Sequence, residues 1–156
     1  MAGKSFPVSE KTTGDKNRAL AYMLKAYGMI DDNVDDVLDC YFRACSIKAD
    51  CTDIAKIAYV FAHQGKLPSG ETVFDKKYAK FINAILIICG MYDGSGEFAL
   101  NVGIPAKSGV GGGIMAVVPG RMGIGIYSPA LDHKGNSCAG TKVLEMLSEE
   151  LSLCIF

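Results

Sequence analysis

Apolar residues recur every three or four positions in four segments of the first 90 residues, and this spacing predicts amphipathic helices. The helices are predicted over about 14–27, 33–45, 52–64 and 75–90, with Thr13, Asn33 and Asp75 as N-caps and Gly28 in the left-handed position that ends the first. Their predicted inward faces are Leu20, Met23, Leu24 and Tyr27; Val34, Val37, Leu38, Tyr41, Phe42 and Cys45; Ile54, Ile57, Ala58 and Phe61; and Tyr78, Phe81, Ile82, Ile85, Leu86 and Cys89.

The helical period ends near Gly90, and thirteen of the 18 glycines fall between Gly90 and Gly140. Within this segment, 114–118 and 123–127 predict two strands of a hairpin around a turn at 119–122. A last helix is predicted over about 140–153, with an apolar face formed by Val143, Leu144, Leu147 and Leu151. Two strands alone are marginally stable in water. We therefore expect a further strand, or another piece of chain, to complete the sheet.

Composition excludes several classes of protein. The 156 residues carry 16 Lys and Arg against 17 Asp and Glu, for a net charge of −1, so the cationic surface typical of nucleic-acid binding is absent. Apolar runs are far shorter than the roughly 18–20 residues that span a bilayer, and no basic-then-apolar leader opens the chain. These features predict a cytoplasmic protein with neither a nucleic-acid nor a membrane partner.

The six cysteines form no Cys-x-x-Cys pair, and with two histidines the chain offers no zinc-ligand spacing. Five of them lie in or beside helical patterns or apolar stretches, where cysteine behaves as a small core residue. The prediction is therefore six reduced thiols, mostly buried, with disulfide pairing as the alternative.

The glycine-rich segments do not fit a phosphate site. No window matches GxxxxGK[ST], and the loose GxGxxA matches at 94–99 and 111–116 do not lie between a strand and a helix. The triplet Lys107-Ser108-Gly109, just before a predicted strand, resembles the Lys-[Ser/Thr]-Gly strand beside the active site of penicillin-recognising serine hydrolases. Taken alone, this triplet is equally typical of a polar turn.

Longer motifs make the resemblance specific, because they follow one another in a single order over essentially the whole chain. They are SEKTTGDKNRALAY at 9–22, YFRACS at 41–46, CGMYD at 89–93, SGEFA at 95–99, VGIPAKSGV at 102–110, GGGI at 111–114, VVP at 117–119, SPALD at 128–132 and GNS at 135–137. In these motifs the chain resembles the serine-dependent glutaminase family, whose fold is β-lactamase-like.

The resemblance implies a role for several residues. Glu10 and Asn17 would bind the amino-acid end of glutamine, and Tyr41 and Tyr92 would line the reacting amide as the catalytic tyrosines. Val110 would offer its backbone N–H to the carbonyl oxygen. The supporting strand would be Lys107, Ser108 and Gly109.

These residue types suit the chemistry. A carboxylate such as Glu10 pairs with an ammonium group, the Asn17 amide can bind a carboxylate, and a tyrosine hydroxyl can relay protons to leaving ammonia. Each residue also has an ordinary structural interpretation. Glu10 and Asn17 would be surface residues near a helix start, Tyr41 a core residue of the second helix, and Tyr92 a loop aromatic.

One departure from the family pattern bears on activity. The family's nucleophile is a serine followed three residues later by a lysine, and the 156 residues contain no Ser-x-x-Lys. In the family that segment and the first strands of the sheet precede the motif found here at 9–22. The resemblance therefore implies a C-terminal part that lacks the Ser-x-x-Lys segment.

The expected fold class is α+β: a helical cluster plus part of an antiparallel sheet, like that of β-lactamases and penicillin-binding proteins, and incomplete. Residues 1–156 would form one partial domain, with helices over about 14–90 and a glycine-rich loop, hairpin and final helix over about 91–156.

Two functions follow from the resemblance. In the first, the chain belongs to machinery that hydrolyses L-glutamine to L-glutamate and ammonia through a serine acyl-enzyme, without cofactor or metal. Its partners would be L-glutamine, the missing N-terminal segment and further copies of the chain, and the isolated chain would be inactive. In the second, it is a non-catalytic remnant or an interaction and oligomerisation module of the same fold.

Overall fold

A computed structural model describes residues 13–156, which divide into two compact units between Lys48 and Ala49. Helices and a small antiparallel sheet make up the described chain, so the expected α+β class is confirmed. Whether residues 1–156 form one partial domain stays a prediction. Glu10 lies outside the described residues.

The first unit contains helix α1 (Asp15–Ala26) and helix α2 (Val34–Cys45). They pack through a small core formed by Ala21, Val34, Leu38 and Phe42, with Ile30 against it. The Asn33 side chain accepts the Asp35 N–H at 2.8 Å, which confirms the predicted cap of α2. Gly28 takes a φ of 69°, as its predicted role at the end of α1 requires.

Two predictions for α1 are wrong. Gly14 occupies the N-cap with no side-chain hydrogen bond, so Thr13 does not cap the helix. The predicted inward face is exposed: Leu20 by 47%, Met23 by 51%, Leu24 by 39% and Tyr27 by 77%. Ala21 is the buried residue of α1 instead. The helical period identified the apolar side of α1, but none of the elements described in residues 13–48 covers that side.

The second unit contains helix α3 (Cys51–Ala62), helix α4 (Lys76–Cys89), a 3₁₀ turn (Tyr92–Gly94), helix α5 (Ser95–Asn101), and helix α6 (Cys138–Leu151). Its strands are β1 (Ala106–Ser108), β2 (Gly113–Val118) and β3 (Met122–Tyr127), paired antiparallel in the order β1-β2-β3. The predicted hairpin is β2–β3, and β1 is a further strand of the sheet. Neither β1 nor α5 was predicted as an element from the sequence.

Helices cover both faces of this sheet. Ile114, Ala116 and Val118 on β2 belong to the core formed with α5 and α6, whereas Val117 belongs to a second core with α3 and α4. On the α3 face, β3 carries Gly123 and Gly125. A Cβ at Gly123 would lie 2.2 Å from both the Ala55 carbonyl oxygen and the Tyr59 nitrogen, so glycine is what lets the α3 backbone lie against the strand.

In the second unit the cap of α4 at Asp75 is confirmed, since its side chain accepts the Lys77 N–H at 2.8 Å. Several residues predicted to face inward are exposed instead: Ile57, Tyr78, Phe81, Ile85, Cys89, Val143 and Leu151. In the first unit Tyr41 and Cys45 are exposed as well.

The prediction of buried cysteines is also wrong, because all six are unpaired and exposed. Among the helices of residues 13–156, none combines the length and apolar character needed to cross a membrane.

Candidate active site

Tyr92 lies in the 3₁₀ turn that follows α4, and its backbone is left-handed, with a φ of 52°. This conformation is uncommon for a residue with a large side chain and is held by surrounding contacts where it occurs. The Tyr92 hydroxyl donates to the backbone carbonyl oxygen of Ser108 at 3.1 Å. The phenol is therefore fixed against the end of β1, although 16 residues separate the two positions.

Lys107 brings a positive charge to the same place. Its Nζ lies 4.5 Å from the centroid of the Tyr92 ring and donates to the same Ser108 carbonyl oxygen. Loss of hydration on partial burial lowers the pKa of the Lys107 ammonium below its ordinary value, and a smaller electrostatic interaction with Cys89 acts in the opposite direction. The ammonium over the ring face makes a cation–π contact.

Ser108 connects the phenol to the sheet. Its N–H donates to the Gly90 carbonyl oxygen at 2.9 Å, and it pairs with Ile114 in the ladder between β1 and β2. The side chain is 1% exposed, and its Oγ has no hydrogen-bond partner among residues 13–156. The predicted Lys-Ser-Gly segment is therefore a strand end rather than the polar turn that was its alternative.

The loop from Gly109 to Gly112 closes tightly and leaves Val110 at its tip. Gly112 donates from its N–H to the Gly109 carbonyl oxygen at 2.9 Å, and its φ of 95° requires glycine. Val110 is 73% exposed, and within the part of the chain that the structure describes its N–H meets no acceptor. A backbone donor with no partner at an exposed loop tip is the kind of group that can receive a substrate carbonyl oxygen.

A second loop, from Asp132 to Asn136, supports Tyr92 from the other side. The Asn136 Nδ2 donates to the Met91 carbonyl oxygen at 3.1 Å, and a Cβ at Gly135 would lie 3.7 Å from the Tyr92 ring. Asn136 is 4% exposed, and its Oδ1 has no partner among the described residues. No role for this loop was predicted from the sequence. Its Asp-x-x-Gly-Asn composition indicates a turn, and nothing in it indicates the contact with Tyr92.

Asn17 and Tyr41 lie in the first unit, on α1 and α2. Asn17 is partly buried. The Tyr41 side chain is 50% exposed and lines a surface cavity of about 620 Å³ that also includes Asp36 and Cys40. The alternative interpretation of Tyr41 as a core residue of α2 is therefore wrong.

The structure thus brings Tyr92, Lys107 and Ser108 into direct contact, with Val110 at the tip of the adjoining loop. Asn17 and Tyr41 belong to the other compact unit. Residues 13–156 contain no cluster of three or more side chains suited to holding a metal ion.

Comparison with known proteins gives one consistent result. The sequence model of the glutaminase family matches residues 3–156. A glutaminase of Clostridium tetani is 60% identical over 149 residues, which is 95% of this chain and 49% of the relative. A glutaminase of Clostridioides difficile is 59% identical over 149 residues, again 95% of this chain, and 48% of that relative.

Solved structures agree. A Bacillus subtilis glutaminase complexed with 6-diazo-5-oxo-L-norleucine superposes with a TM-score of 0.92 at 43% identity, over 96% of this chain and 52% of the other. A covalent complex between Bacillus subtilis glutaminase and 5-oxo-L-norleucine, formed by reaction with the diazo compound, superposes with a TM-score of 0.94 at 42% identity, over all of this chain and 56% of the other. The chain spans about half the length of the relatives that it matches.

Proposed function

Since the chain belongs to the glutaminase family, with the β-lactamase-like fold that the sequence motifs implied, we propose that it supplies the substrate-binding and proton-relay part of a glutaminase. The overall reaction would be hydrolysis of L-glutamine to L-glutamate and ammonia. The observation that carries this proposal is the Tyr92 phenol, held on the Ser108 carbonyl oxygen with the Lys107 ammonium over its ring.

The nucleophile would come from a Ser-x-x-Lys segment, which these 156 residues do not contain. The serine Oγ attacks the side-chain amide carbon of glutamine while the lysine accepts its proton, and the carbonyl oxygen gains negative charge. The Val110 N–H would donate to that oxygen. Its exposure at the loop tip and its lack of an acceptor within residues 13–156 support this role.

Tyr92 would relay a proton to the departing amide nitrogen, so that ammonia rather than an amide anion leaves, and would recover a proton from the water that hydrolyses the acyl-enzyme. The position of Lys107 supports this role, because its ammonium lies over the Tyr92 ring and donates to the same Ser108 carbonyl oxygen as the Tyr92 hydroxyl. Tyr41 would line the same amide, and its half-exposed side chain supports access to substrate.

Glu10 and Asn17 would bind the ammonium and carboxylate groups of glutamine. The covalent product that a Bacillus subtilis glutaminase forms with a diazo-oxo-norleucine supports nucleophilic chemistry on a linear amino acid in this family. A cytoplasmic location is proposed with the same function.

Release of glutamate from glutamine tests the proposal. The 156-residue chain alone is expected to give no turnover. Turnover is expected when the chain is mixed with, or fused to, the part of the Clostridium tetani glutaminase that this chain does not cover, where the family pattern predicts the Ser-x-x-Lys segment. Changing the serine of that segment to alanine is the matched control and should abolish the restored activity. Turnover by the chain alone, or none in the reconstituted protein, would contradict the proposal.

The exposed face of α1 favours a second function, as an association surface. An apolar stripe that the described residues 13–48 leave uncovered is formed by Leu20, Met23, Leu24 and Tyr27. A homo-oligomer that buries this stripe would explain its apolar character. Size-exclusion chromatography of the chain should then show a species larger than 16.6 kDa, and the charged variant Met23→Glu should reduce its size. A monomer at micromolar concentration would contradict this second function.

A further inference from the structure

The peptide groups around Tyr92 are held on both sides. The Met91 N–H donates to the Ser95 Oγ at 3.1 Å, and that hydroxyl donates to the Tyr92 carbonyl oxygen at 2.8 Å. Through the Ser95 hydroxyl, these two bonds connect the Met91 N–H, before the left-handed residue, to the Tyr92 carbonyl oxygen, after it. The Met91 carbonyl oxygen, on the peptide that leads into Tyr92, accepts the Gly94 N–H at 3.0 Å within the 3₁₀ turn, and its second lone pair can accept another donor.

Asn136 supplies this second donor from a distant part of the chain. Its Nδ2 donates to the Met91 carbonyl oxygen at 3.1 Å, and only 4% of Asn136 is exposed. Its neighbour Gly135 has a φ of 92° and leaves room for the Tyr92 ring, whose nearest carbon would be 3.7 Å from an added Cβ. The loop therefore contacts both the backbone before Tyr92 and the ring itself.

The loop is well suited to this purpose because it is internally fixed. The Asp132 Oδ1 accepts the N–H groups of Lys134 at 2.8 Å and Asn136 at 2.9 Å, and the Asp132 N–H donates to the Asn136 carbonyl oxygen at 2.8 Å. An ion pair between Lys134 and Glu97, at 2.7 Å, attaches the loop to α5. A donor on such a loop can impose a conformation on the segment that it contacts.

We propose that Asn136 is a positioning residue: its Nδ2, donating to the Met91 carbonyl oxygen, keeps Tyr92 left-handed and its phenol on the Ser108 carbonyl oxygen. The significance of Asn136 for catalysis rests on the proposed function, in which Tyr92 contacts the substrate. The placement of the Tyr92 ring does not depend on that function and can be measured without turnover.

The first test observes the ring. In chain labelled with ¹³C-tyrosine, the Tyr92 resonance is the one lost in Tyr92→Phe, and it should move in Asn136→Leu while the other tyrosine resonances keep their positions. Thr141→Val is the matched control, because Thr141 lines the same small cavity as Asn136 and its buried Oγ1 has no partner among residues 13–156. It should leave the Tyr92 resonance in place.

If Asn136→Leu does not fold, Asn136→Ala removes the same donor without apolar bulk, and its Tyr92 resonance should move in the same way. An unmoved Tyr92 resonance in a folded Asn136 variant would overturn the proposal. So would an equal movement in Thr141→Val.

The second test measures turnover in the reconstituted protein. A displacement of about 1 Å can lower a catalysed rate by about 100-fold. We expect kcat to fall by about that factor in Asn136→Ala, with KM for glutamine within about twofold of the unchanged protein, because Asn136 contacts Tyr92 rather than substrate. Unchanged kcat in Asn136→Ala alongside an inactive Tyr92→Phe would overturn the proposal. Full activity in Tyr92→Phe would contradict the proposed role of Tyr92, while the resonance test would still decide that of Asn136.

Discussion

Replacing Tyr92 by phenylalanine separates the catalytic role of its hydroxyl from any structural role. The change removes one hydrogen bond, the 3.1 Å contact from the Tyr92 hydroxyl to the Ser108 carbonyl oxygen. That oxygen keeps a donor, because the Lys107 ammonium also binds it, and the ring keeps its cation–π contact. The cost in the free energy of unfolding is therefore expected to be about 0.5–1.5 kcal/mol, the value of one ordinary hydrogen bond.

For a chain of this length, each kcal/mol shifts the melting temperature by roughly 2–4 °C, so the expected decrease is a few degrees. General acid–base catalysis contributes about 100- to 10,000-fold to a rate, and loss of the hydroxyl should lower kcat of the reconstituted protein by a factor in this range. The two measurements are a thermal melt followed by circular dichroism and a coupled assay for glutamate.

Tyr127→Phe is the matched control, because Tyr127 lies at the end of β3 with 63% of its side chain exposed. It should change neither the melting temperature nor the rate. A Tyr92→Phe chain that loses its cooperative melt would show that the hydroxyl is structural. A folded Tyr92→Phe chain with unchanged kcat would refute the assignment of proton transfer to this residue.

Two further predictions concern stability. Gly123→Ala would place a Cβ 2.2 Å from the α3 backbone and should lower the free energy of unfolding, measured by denaturant titration, by about 3 kcal/mol. Gly96→Ala is the matched control: its Cβ meets no atom within 4 Å, so the free energy of unfolding should stay unchanged or rise slightly. Equal effects of the two variants would contradict the close packing of α3 on β3. The N–H groups of Asn136 and Lys134 hold the pKa of Asp132 in the folded chain below its ordinary 3.8. The ionised Asp132 carboxylate should therefore stabilise the fold above pH 3.8, and this contribution should be lost as the pH falls towards the lower pKa of the folded chain. Asp132→Asn should therefore have a lower free energy of unfolding than the unchanged chain at pH 7, and this difference should shrink in acid. A difference in free energy of unfolding that does not depend on pH would contradict the role of the carboxylate.

Features that depend on neighbouring residues were predictable from the sequence. Asn33 and Asp75 cap their helices as expected, because an N-cap needs a short polar side chain and an N–H two residues later. The same reasoning failed at Thr13, where the helix begins after Gly14 and no side chain caps it. The hairpin β2–β3 was predictable because its turn and alternation lie within one short segment.

Features that depend on distant residues were not predictable. Strand β1 has three residues, too few to show an alternation, and it exists because β2 offers a partner. Helix α5 has seven residues, fewer than the helical period needs to be recognised. The contact between Asn136 and the Met91 carbonyl oxygen spans 45 positions, and no motif encodes it.

The exposed apolar residues have a single physical origin. A helical period specifies which side of a helix is apolar, but it does not specify which surface covers that side. The stripe from Leu20 to Tyr27 in α1 follows the same spacing of three and four residues as the stripe of α2, yet α2 buries Val34, Leu38 and Phe42 while α1 buries Ala21. Cys45, on the predicted stripe of α2, is likewise exposed. Because removing apolar surface from water is favourable, another polypeptide surface that covered the α1 stripe would gain free energy of association there.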